Sequence, residues 1–138
     1  MGDLRISGLQ VDSFKAWYPS LKWAFDSFAE RSSGTATAED LAGQVLAMTS
    51  QCWIAWDGDI VAVALTEVQE SRKKTVCMTH CAGRGRERWQ RPLVDEIKNW
   101  AKHIGATRFA TVNRPGWTPF LKQMGLKETH RLMEQDIE

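Results

Sequence analysis

The side chains best suited to chemistry gather between Thr75 and Gly105. A short apolar run, Val76-Cys77-Met78-Thr79-His80-Cys81-Ala82, leads into Gly83-Arg84-Gly85-Arg86-Glu87-Arg88-Trp89. His80 is a candidate general base at the end of a strand, because imidazole changes charge near neutral pH. Glu67, on the preceding strand, is a second candidate. For each, the competing reading is a structural or surface role, since no activating partner can be named from the residues alone. Arg84, Arg86, Arg88 and Arg91 place four guanidinium groups within eight residues, offset by Glu87. Backbone N–H groups at a helix N-terminus carry partial positive charge, so a glycine-bearing turn before a helix can cradle a phosphate. Gly83, Arg84, Gly85, Arg86 and Arg88 are the residues that would do so. The competing reading is a solvated turn.

Cys77, His80 and Cys81 invite a metal reading. On a regular strand, Cys77 and Cys81 face one side but stand ~13 Å apart by strand rise. A zinc ion needs its ligands at ~2.3 Å, so no metal is expected. The three cysteines, Cys52, Cys77 and Cys81, read as buried thiols.

The surrounding elements must position these groups. After Pro92, Leu93, Ile97, Trp100, Ala101 and Ile104 recur at helical spacing, and Gly105 stands where a left-handed C-terminal cap belongs. Upstream, Leu4, Ile6, Leu9 and Val11 suggest a first strand. A short helix with Phe14 and Trp17 is expected to break at Pro19, and a second to carry Leu21, Ala24, Phe25 and Phe28. Thr37 to Asp40 forms a capping box for a helix carrying Leu41, Val45, Leu46 and Met48. Cys52–Trp56 and Ile60–Val68 read as a hairpin about an Asp57-Gly58 type I′ turn. Thr75–Ala82 is the third strand of that meander. Thr107–Val112 is a further strand, Asn113 to Gly116 a turn, Thr118-Pro119 the start of a short helix closed by Gly125, and Leu126–Ile137 a last long strand.

Length and composition bound the possibilities. The chain has 138 residues and net charge +1, with 43% hydrophobic and 25% charged residues. That is the size of one domain, spanning 1–138, and the charge balance argues against nucleic acid as the main partner. No run approaches the ~20 apolar residues of a membrane span. Seven tryptophans against one tyrosine, Tyr18, point to a tightly packed core or a partner surface. Arg114 and Trp117 could form a partner-facing corner; alternatively, Trp117 packs against Trp100 or Phe120.

The order of elements, helices then three antiparallel strands, helix, strand, short helix, strand, with a glycine turn after the third strand, resembles the GNAT (Gcn5-related N-acetyltransferase) superfamily. The resemblance implies an α/β (α+β) fold with a mixed, mostly antiparallel sheet and helices on both faces. It implies acetyl-CoA held at the glycine turn through Arg/Gln-x-x-Gly-x-Gly/Ala, and a tyrosine four residues before a glycine that protonates the CoA thiolate. With Arg84 in the first place, Glu87 and Trp89 fall on the glycine positions, and Leu121 stands where the tyrosine belongs. On this frame Glu87 opposes the pyrophosphate, Trp89 fills its space, and no cofactor is expected. The run Trp89, Leu93, Ile97, Trp100-Ala101, Gly105, then Arg114, Gly116-Trp117, Leu121 and Gly125, resembles small GNAT-like proteins of tailed phages. That implies a non-catalytic virion or assembly component in the bacterial cytoplasm or the particle, with protein partners. The alternative is an acetyl-CoA-dependent N-acetyltransferase acting on a primary amine, with Glu67 or His80 as base.

Overall fold

The computed structural model describes residues 3–130 and 133–137. Five strands form one sheet in sequential order: β1 (Arg5–Leu9), β2 (Gln51–Trp56), β3 (Ile60–Gln69), β4 (Thr75–Gly83) and β5 (Arg108–Thr111). β1 to β4 are antiparallel, and β5 joins β4 in parallel. A parallel neighbour needs a crossover, and α3 (Arg86–His103) supplies it. α1 (Val11–Arg31) and α2 (Ala38–Leu46) cover one face; α3 and the short α4 (Thr118–Gln123) cover the other.

α1 is one helix of 21 residues, not two. Pro19 lies inside it, on the exposed face, where water can serve the carbonyl that loses its partner. The stripe Phe14, Tyr18, Leu21, Phe25, Phe28 runs unbroken past the proline and packs on the sheet, which holds the helix together. α3 repeats the lesson. It begins at Arg86, not after Pro92, because Trp89, Leu93, Ile97 and Ala101 form one buried stripe and Pro92 faces outward. Trp100 is only half-buried, edge-on to Trp53 at 5.5 Å.

The Thr37–Asp40 capping box forms as expected, with Thr37 Oγ1 accepting from Asp40 N and Asp40 Oδ2 from Thr37 N. Leu41 and Val45 are buried, whereas Leu46 and Met48 point to solvent. The β2–β3 loop is three residues, Asp57-Gly58-Asp59, since Trp56 pairs with Ile60, and only Gly58 takes positive φ. It is therefore not the two-residue type I′ turn. Gly105 and Gly125 both take left-handed φ at the ends of their helices. The expected last strand does not form in the described part of Leu126–Ile137: residues 127–130 and 133–137 are exposed, leaving no buried stripe to hold against β5. Arg131 and Leu132 lie outside the described residues.

Among the described residues, no helix is long and apolar enough to cross a membrane.

Candidate functional site

One extra residue on β4 creates the site. Leu65 pairs with His80 and the next β3 residue, Thr66, pairs with Met78, so Thr79 is an unpaired bulge residue. Before the bulge, even-numbered Val76 and Met78 face α3; after it, odd-numbered Cys81 does, and Ala82 turns to α1. Cys77 and Cys81 therefore lie on opposite faces, against the expectation for a regular strand. No cluster that could hold a metal exists among the described residues.

The bulge also ends the pairing with β5. Val112 N donates to Met78 O (2.9 Å), and beyond that point the two strands part. A cavity of about 270 Å³ opens between them. His80, Cys81, Arg114 and Trp117 line it together with Phe28 and Arg31 from the end of α1. His80 and Arg114, which the sequence placed in separate readings, thus share one space. Glu67 does not line it; Glu67 pairs with Cys77 on the far side of the bulge.

His80 is packed and held neutral. Its ring packs on Phe28 (centroids 5.1 Å), and burial first, then the Arg31 charge, push it below the ordinary imidazole range. It is therefore neutral at pH 7. Its Nδ1 lies 2.9 Å from Thr79 Oγ1, and that hydroxyl donates to Leu65 O at 3.4 Å. With its own proton committed, Thr79 accepts from Nδ1–H, and Nε2 is left as the lone-pair nitrogen. Cys81 is no nucleophile: burial pushes its thiol up to about 12. Tyr18, the only tyrosine, packs between Phe14 and Phe25 and does not line the cavity. Leu121 is buried in the α3-side core and brings no hydroxyl.

β4 runs from the cavity directly into the glycine turn. Gly85 takes a left-handed conformation (φ 64°, ψ 51°) and starts α3, with no side chain capping the helix N-terminus. Gly83 is needed for close packing: a Cβ there would meet Trp89 Cζ2 at 2.6 Å and Val61 O at 2.7 Å. Trp89 lies beneath the turn, 2% exposed, with Nε1 donating to Arg84 O at 2.7 Å and its ring against Trp117. It does not fill the space in front of the helix N-terminus, contrary to the frame drawn from the sequence. Glu87 is exposed in the first turn.

The four arginines do not converge. Arg84 stacks over Trp23, Arg88 pairs with Asp57, and Arg91 lies over Phe120. Arg86 passes alongside Gly116. Trp117 is buried against Trp89 and Phe120, so it offers no partner surface, while Arg114 beside it is exposed. A larger hollow of about 620 Å³, between Trp17 and Trp23 of α1 and the start of β3, is lined also by Asp59 and by Arg84 of the glycine turn, and it shares no lining residue with the β4–β5 opening.

No protein-family profile matches the chain, and no curated protein matches its sequence. Solved structures do match. The aminoglycoside N-acetyltransferase AAC(6')-Iy, solved with CoA, has a TM-score of 0.72 at 15% identity, over 99% of this chain and 96% of its own. The chain has the GNAT acetyltransferase fold. A GCN5-related N-acetyltransferase from Ralstonia eutropha JMP134 has a TM-score of 0.72 at 13% identity, covering 97% of this chain and 99% of that one. An acetyltransferase of Trypanosoma brucei has a TM-score of 0.70 at 15% identity, covering 98% and 100%. The GNAT fold was legible from element order and the glycine turn. Arg31 and Asn113 were missed as site residues, because nothing local ties the end of α1 or the 112–114 segment to His80.

Proposed function

We propose that this protein is an acetyl-CoA-dependent N-acetyltransferase acting on a primary amine. One observation carries the reading: the bulge at Thr79 parts β4 from β5 around a cavity that holds a neutral histidine, and β4 itself runs on from there into the glycine turn at the uncapped N-terminus of α3. The residues fit the cofactor. The turn from Gly83 to Arg88 and the first amides of α3 would hold its pyrophosphate, and the parted strands would hold its thiol arm. Burial of Trp89 below the turn removes the steric objection that the sequence raised. Acetyl-CoA would supply an acetyl group activated as a thioester. His80 accepts the proton of the attacking amine through Nε2. Thr79 fixes the tautomer, and burial first, with the Arg31 charge second, keeps the ring neutral. No tyrosine lines the cavity, so the chain brings no phenol there to protonate a leaving thiolate.

Acetyl transfer to small amines, followed by release of free CoA thiol, tests this. His80→Asn should lower kcat by about 10²- to 10⁴-fold, the range for loss of a general base, with the Kd for acetyl-CoA unchanged. An unchanged kcat would overturn the assignment of His80. A second reading, a non-catalytic component of a phage particle or its assembly, draws support from Leu121, which supplies no acid to the leaving group. Mass spectrometry of native complexes, finding this chain bound to particle proteins and no turnover, would favour it.

A further inference from the structure

The charges around the cavity are one-sided. Two guanidinium groups line it, Arg31 and Arg114, beside the neutral His80 and the amide of Asn113; no aspartate or glutamate does. The ion pairs found among the described residues are Lys22–Asp26, Lys74–Glu70 and Arg88–Asp57, and none engages either arginine. Arg31 is held in place instead by neutral acceptors: Nη2 donates to Ser27 Oγ at 2.6 Å and Nη1 to Cys81 O at 3.2 Å. A guanidinium has five N–H donors, so most of its capacity is unspent. The two groups are close enough to repel. Arg31 is exposed yet is held below its ordinary range, by partial burial first and by the Arg114 charge second, with Cys81 and then Glu30 acting the other way.

Arg114 is also set by its loop. Thr111 Oγ1 donates to Asn113 Oδ1 (2.8 Å), Asn113 Nδ2 to Arg114 O (2.9 Å), and Trp117 N to Arg114 O (3.0 Å). Two like charges beside one cavity, with no carboxylate among the described residues that line it, suit an anion, and a planar guanidinium matches a carboxylate with two parallel donors. The volume, about 270 Å³, falls below the usual range for drug-sized ligands and limits the acceptor to a small molecule.

We infer that the acceptor is a small primary amine bearing a carboxylate, an amino acid or a close relative, with Arg31 and Arg114 holding the carboxylate while the amine faces His80. This rests on the acetyltransferase reading. It excludes polycationic acceptors such as aminoglycosides and polyamines, which would meet two guanidinium groups with no carboxylate to receive them.

A matched pair of product analogues tests the inference without turnover. N-acetylglycine and N-acetylglycinamide have the same skeleton but end in a carboxylate and a neutral amide, and each is titrated into the protein by thermal shift and calorimetry. The acid should bind at least about tenfold more tightly than the amide, as expected for a charge-assisted pair, and Arg114→Gln should erase the difference. Arg31→Gln should do the same. Arg114 is exposed on a loop, so its variant answers the question even if the α1 variant folds poorly. Equal affinity for acid and amide, or binding of neither up to about 100 mM, would overturn the inference. A parallel titration with acetyl-CoA separates the two claims. Acid binding without acetyl-CoA binding removes the enzyme reading and leaves an anion site. Acetyl-CoA binding without acid discrimination leaves the enzyme reading and removes this one. If Arg114→Gln weakens acetyl-CoA instead of the acid, the arginines serve the cofactor's phosphates and the inference fails.

Discussion

Gly83→Ala adds one methyl group where β4 gives way to the turn before α3. The new Cβ would lie 2.6 Å from Trp89 Cζ2, 2.7 Å from Ala62 Cβ and 2.7 Å from Val61 O. Carbon atoms in contact sit at about 3.5–4.0 Å, so the overlap is close to 1 Å on several sides at once. Trp89 has nowhere to retreat: it is tied through Nε1 to Arg84 O and packed on Trp117. Gly83 is not among the positive-φ glycines, so the cost is steric. Overpacking of this kind costs about 1–3 kcal/mol. In a chain of this length that lowers Tm by roughly 3–12 °C. Urea melts followed by far-UV dichroism would measure it. Trp89→Phe removes the colliding atom, so the double variant should lose less than the sum of the two single losses, with a coupling of at least about 0.5 kcal/mol. Recovery should stay incomplete, because Ala62 and the Val61 carbonyl remain. A loss under about 0.5 kcal/mol for Gly83→Ala, or additive single losses, would refute the claim that this glycine exists to seat Trp89.

Two further outcomes follow from the packing and the charges. Trp100→Ala should cost about 1–3 kcal/mol in the same melts, less than the about 2–5 kcal/mol expected of Leu93→Ala, because Trp100 is half-buried and Leu93 fully buried; the reverse order would contradict the burial. Burial and Arg31 lower the His80 pKa, so the folded protein takes up this proton at lower pH than the unfolded chain does. The contribution of His80 to stability is therefore intact above the ordinary imidazole value, about 6.5, and is lost as pH falls from there to the folded pKa. His80→Gln should flatten that part of the pH–stability curve, and Arg31→Gln should raise the His80 pKa in an NMR titration; an unmoved pKa would show that Arg31 is not a cause.

Much of the fold was legible because local chemistry and tertiary packing agree there. Thr37 and Asp40 cap a helix wherever they find one, and Gly105 ends α3 because glycine takes left-handed φ cheaply. The expected breaks at Pro19 and Pro92 did not materialise. A proline on an outward face loses one hydrogen bond to water, while the buried stripes on either side hold each helix together. The bulge at Thr79 was invisible for a different reason. It is a property of pairing between β3 and β4, and the short apolar run of β4 alone carries no mark of it. Missing it put Cys77 and Cys81 on one face and hid the cavity. Arg31 was out of reach because it meets Cys81 fifty positions along the chain. Trp89 was misplaced because a motif frame fixes positions in sequence, whereas helix phase decides which side chains face the core.

The central claim is that the β4–β5 opening and the turn before α3 bind acetyl-CoA. A titration with acetyl-CoA, read by both thermal shift and calorimetry, tests it most directly. Binding only to the folded state stabilises it by about 2.7 kcal/mol at a hundredfold excess over Kd. The expected result is a saturable rise in Tm of roughly 8–11 °C at that excess, with one site per chain. No saturable shift and no heat at millimolar acetyl-CoA would contradict it.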